Sequence, residues 1–280
     1  MKIFVTGGTG FIGMHFIEAA LTVGHQITAL YRSSSKKYLL KNKKLDWIDS
    51  EMDKVTTAQL SGHDAFVHLA AAGVNIELAT WEACFDVNVV KSIQIWDEAV
   101  RAGISKFIIA GSCFEYGKSA LSYKNVPTSS SLKPTGAYHA SKAAASMAAI
   151  ALCAEKNLQV AILRPFHVFG EGESDQRFWP SLRRAALSGD DFKMTKGEQV
   201  RDFINVEDAA KIFLRFVDMK LINGDAHIEN VGTGISMTLK DFAEYWWNKF
   251  GGTGKIILGA VPYRDNEIMH YVPEIISNTR

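Results

Sequence analysis

The sequence predicts an α/β fold, a doubly wound parallel sheet followed by a smaller mixed α/β C-terminal substrate lobe. Two patterns carry that prediction. A strand runs straight into a glycine-rich loop, Val5-Thr6-Gly7-Gly8-Thr9-Gly10-Phe11-Ile12-Gly13, which in turn opens a helix. Short apolar runs then alternate with longer helical periods through the first two thirds of the chain, as repeated βαβ units of a Rossmann sheet do.

Strands are expected over 2–6, 26–31, 65–69, 106–110 and 159–163, where apolar and β-branched residues cluster. Helices are expected over 11–23, 81–102 and 137–156, the first entered directly from the glycine loop. Past Pro165 the pattern loosens, because Gly170, Gly172, Gly189, Gly197 and Gly224 punctuate shorter elements. Helices over 178–187, 206–218 and 239–250 fit that region. The expected division is a dinucleotide-binding domain over 1–165 and a smaller substrate-binding lobe over 166–280, with interleaved elements allowed. No repeat of fixed period is visible, and Thr128-Ser129-Ser130-Ser131 is too short for a linker, so it reads as an active-site loop.

With 280 residues, 47% of them hydrophobic, the chain can bury a large core. A formal net charge of +1 provides no field of one sign, so neither nucleic acid nor a membrane surface is an expected partner. A small molecule is. The three cysteines, Cys84, Cys113 and Cys153, form neither a disulfide framework nor a zinc pattern, and no metal is expected. The opening strand leaves no room for a signal peptide, which with the cysteine usage makes the cytoplasm the expected compartment. The stretch 143–154 is apolar but broken by Ser146 and far short of the roughly 20 residues a membrane span needs, so it reads as a buried helix.

In the loop, the spacings Gly8-Gly10-Gly13 and Gly7-Gly10-Gly13 are equivalent in their physics. Glycine permits the tight turn, admits a pyrophosphate close to the backbone and lets helix pack on strand. The helix N-terminus adds donors and a positive dipole end. After the second strand, where an acid would bind the ribose of NAD, the chain reads Tyr31-Arg32-Ser33-Ser34-Ser35-Lys36-Lys37. Arg32 and Ser33 suit a 2′-phosphate, so NADP(H) is the preferred cofactor and NAD(H) the alternative; an ordinary solvated basic turn is the bland reading.

Tyr138-His139-Ala140-Ser141-Lys142 sets a phenol and an ammonium one helical turn apart. An ammonium near a phenol lowers its pKa and makes it a usable acid/base. Such a pair alone is common, but behind a glycine loop it reads as catalytic. Upstream, Gly111-Ser112-Cys113-Phe114-Glu115-Tyr116-Gly117 follows the strand over 106–110 and puts the Ser112 hydroxyl at the carboxyl edge of the sheet, available to a substrate carbonyl.

Together with His68-Leu69-Ala70-Ala71, Asn88, Leu163-Arg164-Pro165 and Arg201-Asp202-Phe203-Ile204, these motifs resemble the extended short-chain dehydrogenase/reductases of the NAD-dependent epimerase/dehydratase family. The resemblance implies cofactor contacts at Gly7, Gly10, Phe11, Ile12 and Gly13, at Leu69, Ala70 and Ala71, and at Asn88, Lys142 and Pro165, with Asp49 loosely matched to the adenine. It implies Tyr138 as acid/base, Lys142 on the nicotinamide ribose, and a nucleoside-diphosphate sugar between the lobes. Ser112, Cys113, Phe114, Tyr138 and His167 would face the sugar. Arg201 and Arg264 would take the diphosphate, each offering bidentate charge-assisted bonds; for either, a surface ion pair is the alternative. His167 stands where the family often has Asn, and a packed ring is its simpler reading. The chain ends at Asn278-Thr279-Arg280 where relatives usually add a helix, so either the lobe is short or the chain is trimmed.

Dehydratases of this family carry an acid/base pair just after the catalytic hydroxyl. Cys113 and Phe114 stand there instead, Cys113 reading as a packing residue, and Glu115 is left a secondary hydrogen-bonding role. The resemblance therefore implies reduction of a 4-keto-6-deoxyhexose linked to dTDP or CDP, as in deoxysugar synthesis for surface polysaccharides such as O-antigen. NAD-dependent 4-epimerisation is the alternative, and a non-catalytic dinucleotide sensor or scaffold the third reading. The Ala-rich face over 143–154 lets another helix approach closely, and with the helix over 81–102 the resemblance implies a homodimer through a four-helix interface; burial of that face inside the monomer is the alternative.

Overall fold

A computed structural model describes residues 1–34, 40–75, 78–265 and 267–275. In chain order it begins with β1 (Lys2–Thr6), α1 (Phe11–Thr22), β2 (Gln26–Tyr31), β3 (Leu45–Asp49), α2 (Thr57–Leu60) and β4 (Ala65–His68). Then come α3 (Trp81–Phe85), a π-helical segment (Asp86–Lys91) continuing into α4 (Ser92–Arg101), β5 (Lys106–Ala110), α5 (Ala137–Lys156) and β6 (Gln159–Pro165). The helix expected over 81–102 is thus one rod with a π-helical middle, a device that widens the turn around Asn88.

β1 to β6 and a later strand form one parallel sheet in the order β3-β2-β1-β4-β5-β6, with the outermost place beside β6 filled from far downstream. Alternation decides which side chain faces which cover. Ile3, Val5, Ile27, Ala29, Val67, Ile108 and Leu163 face a core shared with Phe16, Ile17 and Ala20 of α1. Phe4, Leu30, Phe66, Phe107 and Ile162 face the other core, against Ile95, Trp96 and Ala99 of α4 and Ala145, Ala149 and Cys153 of α5. The small residues of α5 are therefore spent largely inside the protomer.

The remaining elements are β7 (His167–Phe169), α6 (Phe178–Ser188), β8 (Phe192–Lys193), β9 (Val200–Arg201), β10 (Phe203–Asn205), α7 (Val206–Asp218), β11 (His227–Val231), β12 (Met237–Thr238), α8 (Leu239–Lys249), β13 (Ile256–Ile257) and β14 (His270–Tyr271). β11 is the seventh strand of the main sheet, and α7 packs Ala209, Ala210 and Phe213 into the α1 core. Residues 206–231 accordingly sit with the large sheet and not with the lobe that surrounds them in sequence. The lobe proper is mixed: β7 pairs with β10, β9 lies parallel to β14 and antiparallel to β12, and β8 pairs with β13. α6 and α8 close it around Leu182, Ala186, Met194, Ala243 and Trp247.

Candidate active site

The carboxyl ends of β1 and β4 meet at the glycine loop. Gly7 has φ +73, and a Cβ there would lie 2.5 Å from Ala70 N and Leu69 C, so the loop and the alanine turn touch backbone to backbone. A Cβ on Gly13 would run into the Gly7 carbonyl, which is why α1 can start directly beneath the loop. Gly10 N–H donates to Gly7 O at 3.0 Å, and Gly10, the N-cap of α1, offers no side chain to the first-turn donors. A cradle that only glycine permits, closed by an uncapped helix start with no acid in its first turn, fits a dinucleotide pyrophosphate. Phe11 and Ile12 are half-buried beside it.

Arg32 and Ser33 are exposed just beyond β2, as is Asp49 at the end of β3. The parallel register sets Tyr31 opposite Asp49, and Ser33 Oγ donates to Asp49 Oδ2 at 2.7 Å. A carboxylate therefore stands beside Ser33 at the carboxyl edge of the sheet, delivered by β3, a strand absent from the expectation above. Lys36 and Lys37 of the basic run lie outside the described residues.

The part of the cleft that holds Ser112, Tyr138 and Lys142 is built by β5 and α5. Ser112 caps the short 3₁₀ turn Cys113–Glu115, and Tyr138 and Lys142 lie one turn apart near the start of α5. All three are buried, at 5%, 9% and 3% exposure. Lys142 Nζ donates to Ala110 O at 2.6 Å, which ties α5 to the end of β5. Burial pushes the Tyr138 phenol above its usual range while a hydrogen bond from Ser112 opposes that shift, and burial lowers Lys142. The expected depression of the phenol by Lys142 is thus corrected: desolvation dominates, and the ammonium is engaged by the Ala110 carbonyl.

Phe114 walls this pocket, its ring edge-on to Tyr138 and stacked on His139 at 4.7 Å between centroids. Cys113 is buried with Tyr116, Phe166 and Tyr271, its thiol pushed up to about 12 by burial, and Tyr271 Oη donates to its carbonyl. It is a packing residue whose backbone is held in place. Asn88, expected at the cofactor, is held by Ala72 and Ser141. Its Oδ1 accepts from Ala72 N at 2.7 Å, and its Nδ2 donates to Ala72 O at 3.0 Å and to Ser141 Oγ at 2.9 Å, so its 1%-exposed amide braces the alanine turn against α5.

Across the cleft, Pro165 ends β6 and His167 begins β7. The His167 ring packs between Phe203 and Tyr271, and burial with the charges of Arg201 and Arg177 holds it neutral, its pKa down at about 3. Its Nδ1 is buried without a hydrogen-bond partner. Arg201 is 8% exposed and fully engaged: Nη1 donates to Val200 O and Met269 O, and Nη2 to Glu267 Oε1 at 2.5 Å. Arg264 is exposed on the loop after Pro262.

Three residues that sequence reasoning undervalued also stand here. Glu115 is a fully buried carboxylate paired with Arg164. Glu173 and Arg177 lie on the segment 170–177, which spans the cleft: His15 Nε2 meets Glu171 O at 2.8 Å, and Arg177 Nη2 donates to Val74 O at 3.0 Å. Burial raises Glu173 to about 7, and the charge of Arg177 reaches Tyr138 and His167. A polar, glycine-broken run offers no periodicity to signal this. Among the described residues no group of three His, Cys, Asp or Glu is placed to hold a metal, and no helix is long and apolar enough to cross a membrane.

A profile of the NAD dependent epimerase/dehydratase family matches residues 3–232. The chain belongs to that family. It is accordingly an enzyme of oxidoreductase type. The CDP-abequose synthase of Salmonella typhimurium is 26% identical over 287 positions, spanning 96% of this chain and 88% of the relative. The UDP-N-acetylglucosamine 4-epimerase from Methanobrevibacter ruminantium M1, solved with UDP-N-acetylmuramic acid, matches with a TM-score of 0.89 at 25% identity, over 98% of this chain and 89% of that one. A dTDP-glucose 4,6-dehydratase from Streptomyces venezuelae, solved with NAD and TYD bound, shares the fold with a TM-score of 0.83 at 22% identity, over 98% of this chain and 88% of that one.

Proposed function

We propose that this chain reduces the 4-keto group of a nucleoside-diphosphate 4-keto-6-deoxyhexose, with NADPH as the preferred reductant. The observation that carries the reading is the pair of residues that follows Ser112, neither of which is an acid/base. Buried Cys113 and the aromatic wall Phe114 stand next to Ser112, so these two positions do not offer Tyr138 the acid/base pair used to eliminate water across two carbons. Similarity to a CDP-abequose synthase favours the same chemistry.

When bound, the nicotinamide supplies the hydride. Tyr138 delivers a proton from its phenol oxygen to the substrate oxygen. Ser112, hydrogen-bonded to that phenol, orients both. Lys142, fixed to the Ala110 carbonyl, keeps a positive charge beneath the site. Arg201 takes the diphosphate by exchanging its Glu267 partner for phosphate oxygens, and Arg264 joins it. Exposed Trp81, Val90, Ile93 and Met147 along the two long helices supply the surface of a homodimer, which sedimentation at micromolar concentration would reveal.

Asp49 favours a second reading. Beside Ser33 it can accept from a ribose diol and repel a 2′-phosphate, as an NAD-dependent 4-epimerase would require. The deciding experiment measures NADPH and NADH oxidation against dTDP-, CDP-, UDP- and GDP-linked 4-keto-6-deoxyhexoses, with Tyr138→Phe and Arg32→Ala as controls. Stoichiometric NADPH consumption, lost in Tyr138→Phe and weakened in Arg32→Ala, is expected. Interconversion of ordinary nucleotide sugars without net cofactor oxidation would replace reduction by epimerisation, and turnover unchanged in Tyr138→Phe would remove the tyrosine from the chemistry.

A further inference from the structure

Glu115 lies outside the catalytic trio but is the buried carboxylate nearest to it in the chain, with 0% exposure. Its Oε1 accepts from the Ser112 N–H at 2.8 Å while Ser112 Oγ accepts from Phe114 N, a reciprocal cap that fixes the turn carrying the catalytic hydroxyl. Its Oε2 accepts from Arg164 Nε at 2.9 Å. Arg164 runs on to Tyr116 Oη at 3.0 Å and Thr128 O at 3.3 Å, and Tyr116 donates to Asn230 Oδ1 at 2.7 Å. Asn230 in turn holds Val126 O and Glu274 O. One carboxylate therefore seats Ser112 against β6, β11 and the C-terminal segment. Gly111 makes the room, since a Cβ there would lie 2.6 Å from Glu115 Oε1.

A buried ion pair is weak ground for stability, because desolvation consumes most of its Coulomb gain. A reason for it lies one residue layer away. Lys142 is buried at 3% exposure, and among the described residues no carboxylate forms an ion pair with it. Glu115 is the anion whose charge reaches Lys142, and the same charge reaches Tyr138. The other charged or titratable neighbours are Arg164 from β6, His68 from β4, Cys113 and Tyr116 beside Glu115, Arg177 from the start of α6, His139 beside Tyr138 on α5, and Tyr271 from β14.

We propose that Glu115 is a positioning residue of the reaction: it holds Ser112 through its backbone N–H and serves as the distant counter-charge of the buried Lys142 ammonium. The proposal rests on the reading of Tyr138 as the acid/base. Removing an anion near a phenol and an ammonium makes both surrender protons more easily. Shortening the side chain keeps the charge but withdraws it from Ser112.

Glu115→Gln and Glu115→Asp separate the two roles. The pH profile of kcat/KM is measured for each, together with cofactor Kd, melting temperature and a ¹³Cζ-tyrosine NMR titration of the cofactor-loaded protein, with Tyr138→Phe assigning the resonance. Glu115→Gln is expected to move both the acid/base limb and the Tyr138 titration to lower pH, by on the order of one pH unit. Glu115→Asp is expected to lower kcat about tenfold, the factor equivalent to one weakened positioning hydrogen bond, with the limb in place. Variants that lose melting temperature alone, with wild-type kcat, limb and titration, would overturn the proposal. If Glu115→Gln does not fold, Glu115→Asp decides, and an unchanged kcat refutes the positioning role. Failure of the reductase reading would show separately, as a wild-type protein inert toward every 4-keto sugar, while the NMR titration still reports on Glu115.

Discussion

Replacing Asn88 by alanine should reveal how much the alanine turn depends on the π-helical segment. The amide makes three hydrogen bonds, two to Ala72 and one to Ser141 Oγ, from a position that is 1% exposed. Truncation strands the Ala72 N–H and leaves its carbonyl only the long contact from Cys84 Sγ at 4.0 Å. Each buried unpaired group costs about 1–3 kcal/mol, and Ala72 is only half-buried, so water recovers part of the loss and roughly 2–4 kcal/mol remains. For a chain of this size that lowers Tm by roughly 5–10 °C. The same turn abuts Gly7 through Leu69 and Ala70, so cofactor Kd should rise with it. Urea unfolding and cofactor fluorescence titration measure both. Ser141→Ala is the control: it removes one of the three bonds and should cost about 1 kcal/mol. An Asn88→Ala protein within about 0.5 kcal/mol of wild type, the range of ordinary surface changes, or a Ser141→Ala loss equal to it, would refute the bracing argument.

Gly7→Ala should weaken cofactor binding at least tenfold, since φ +73 disfavours any side chain and its Cβ would press on the backbone of Leu69 and Ala70; an unchanged Kd by equilibrium dialysis would contradict the cradle. Acid should destabilise the fold through His68 and His167, whose pKa values sit at about 3, below the ordinary 6.5. The unfolded chain binds the extra protons between those values, so stability is full above about pH 6.5 and falls toward pH 3, by up to about 1.4 kcal/mol per pH unit for each ring. Urea unfolding from pH 7 to pH 5 should show that slope, and His68→Gln should reduce it; equal slopes would assign the acid response elsewhere.

The parallel sheet was legible because β1, β2, β4, β5 and β6 carry dense apolar runs buried on both faces. β3 was missed because Leu45-Asp46-Trp47-Ile48-Asp49 interleaves acids with its apolar residues and follows a lysine-rich stretch. β11, His227–Val231, hides for a similar reason: its Glu229 and Asn230 are polar, and Asn230 is buried because Tyr116, Val126 O and Glu274 O satisfy its amide. Such strands are paired by what lies beside them, which no local period records. Tyr138 and Lys142 were readable from their spacing behind a glycine loop and Ser112 from its place after β5, and all three are buried where β5 and α5 meet. The environment of the phenol was not, because desolvation depends on Phe114 and its neighbours closing over it. The Glu115–Arg164 pair joins residues 49 apart, and the covering segment 170–177 joins sites more than 100 apart, so neither leaves a trace in any short window.

β11 pairs with β6 over five residues, from His227↔Ala161 to Val231↔Pro165, after the chain has already passed through the small lobe. The covalent path crosses between the lobes at 165–167, again at 205–206 and again after 231. A single hinge cannot open such a cleft, because three stretches of backbone would have to bend in step. Cutting the chain after residue 165 would also leave β6 as a bare edge, its carbonyls and N–H groups free to recruit a strand from another molecule. The sheet that carries the glycine loop is therefore sealed only once the small lobe has been threaded, and the two halves of the cleft stand or fall as one folding unit.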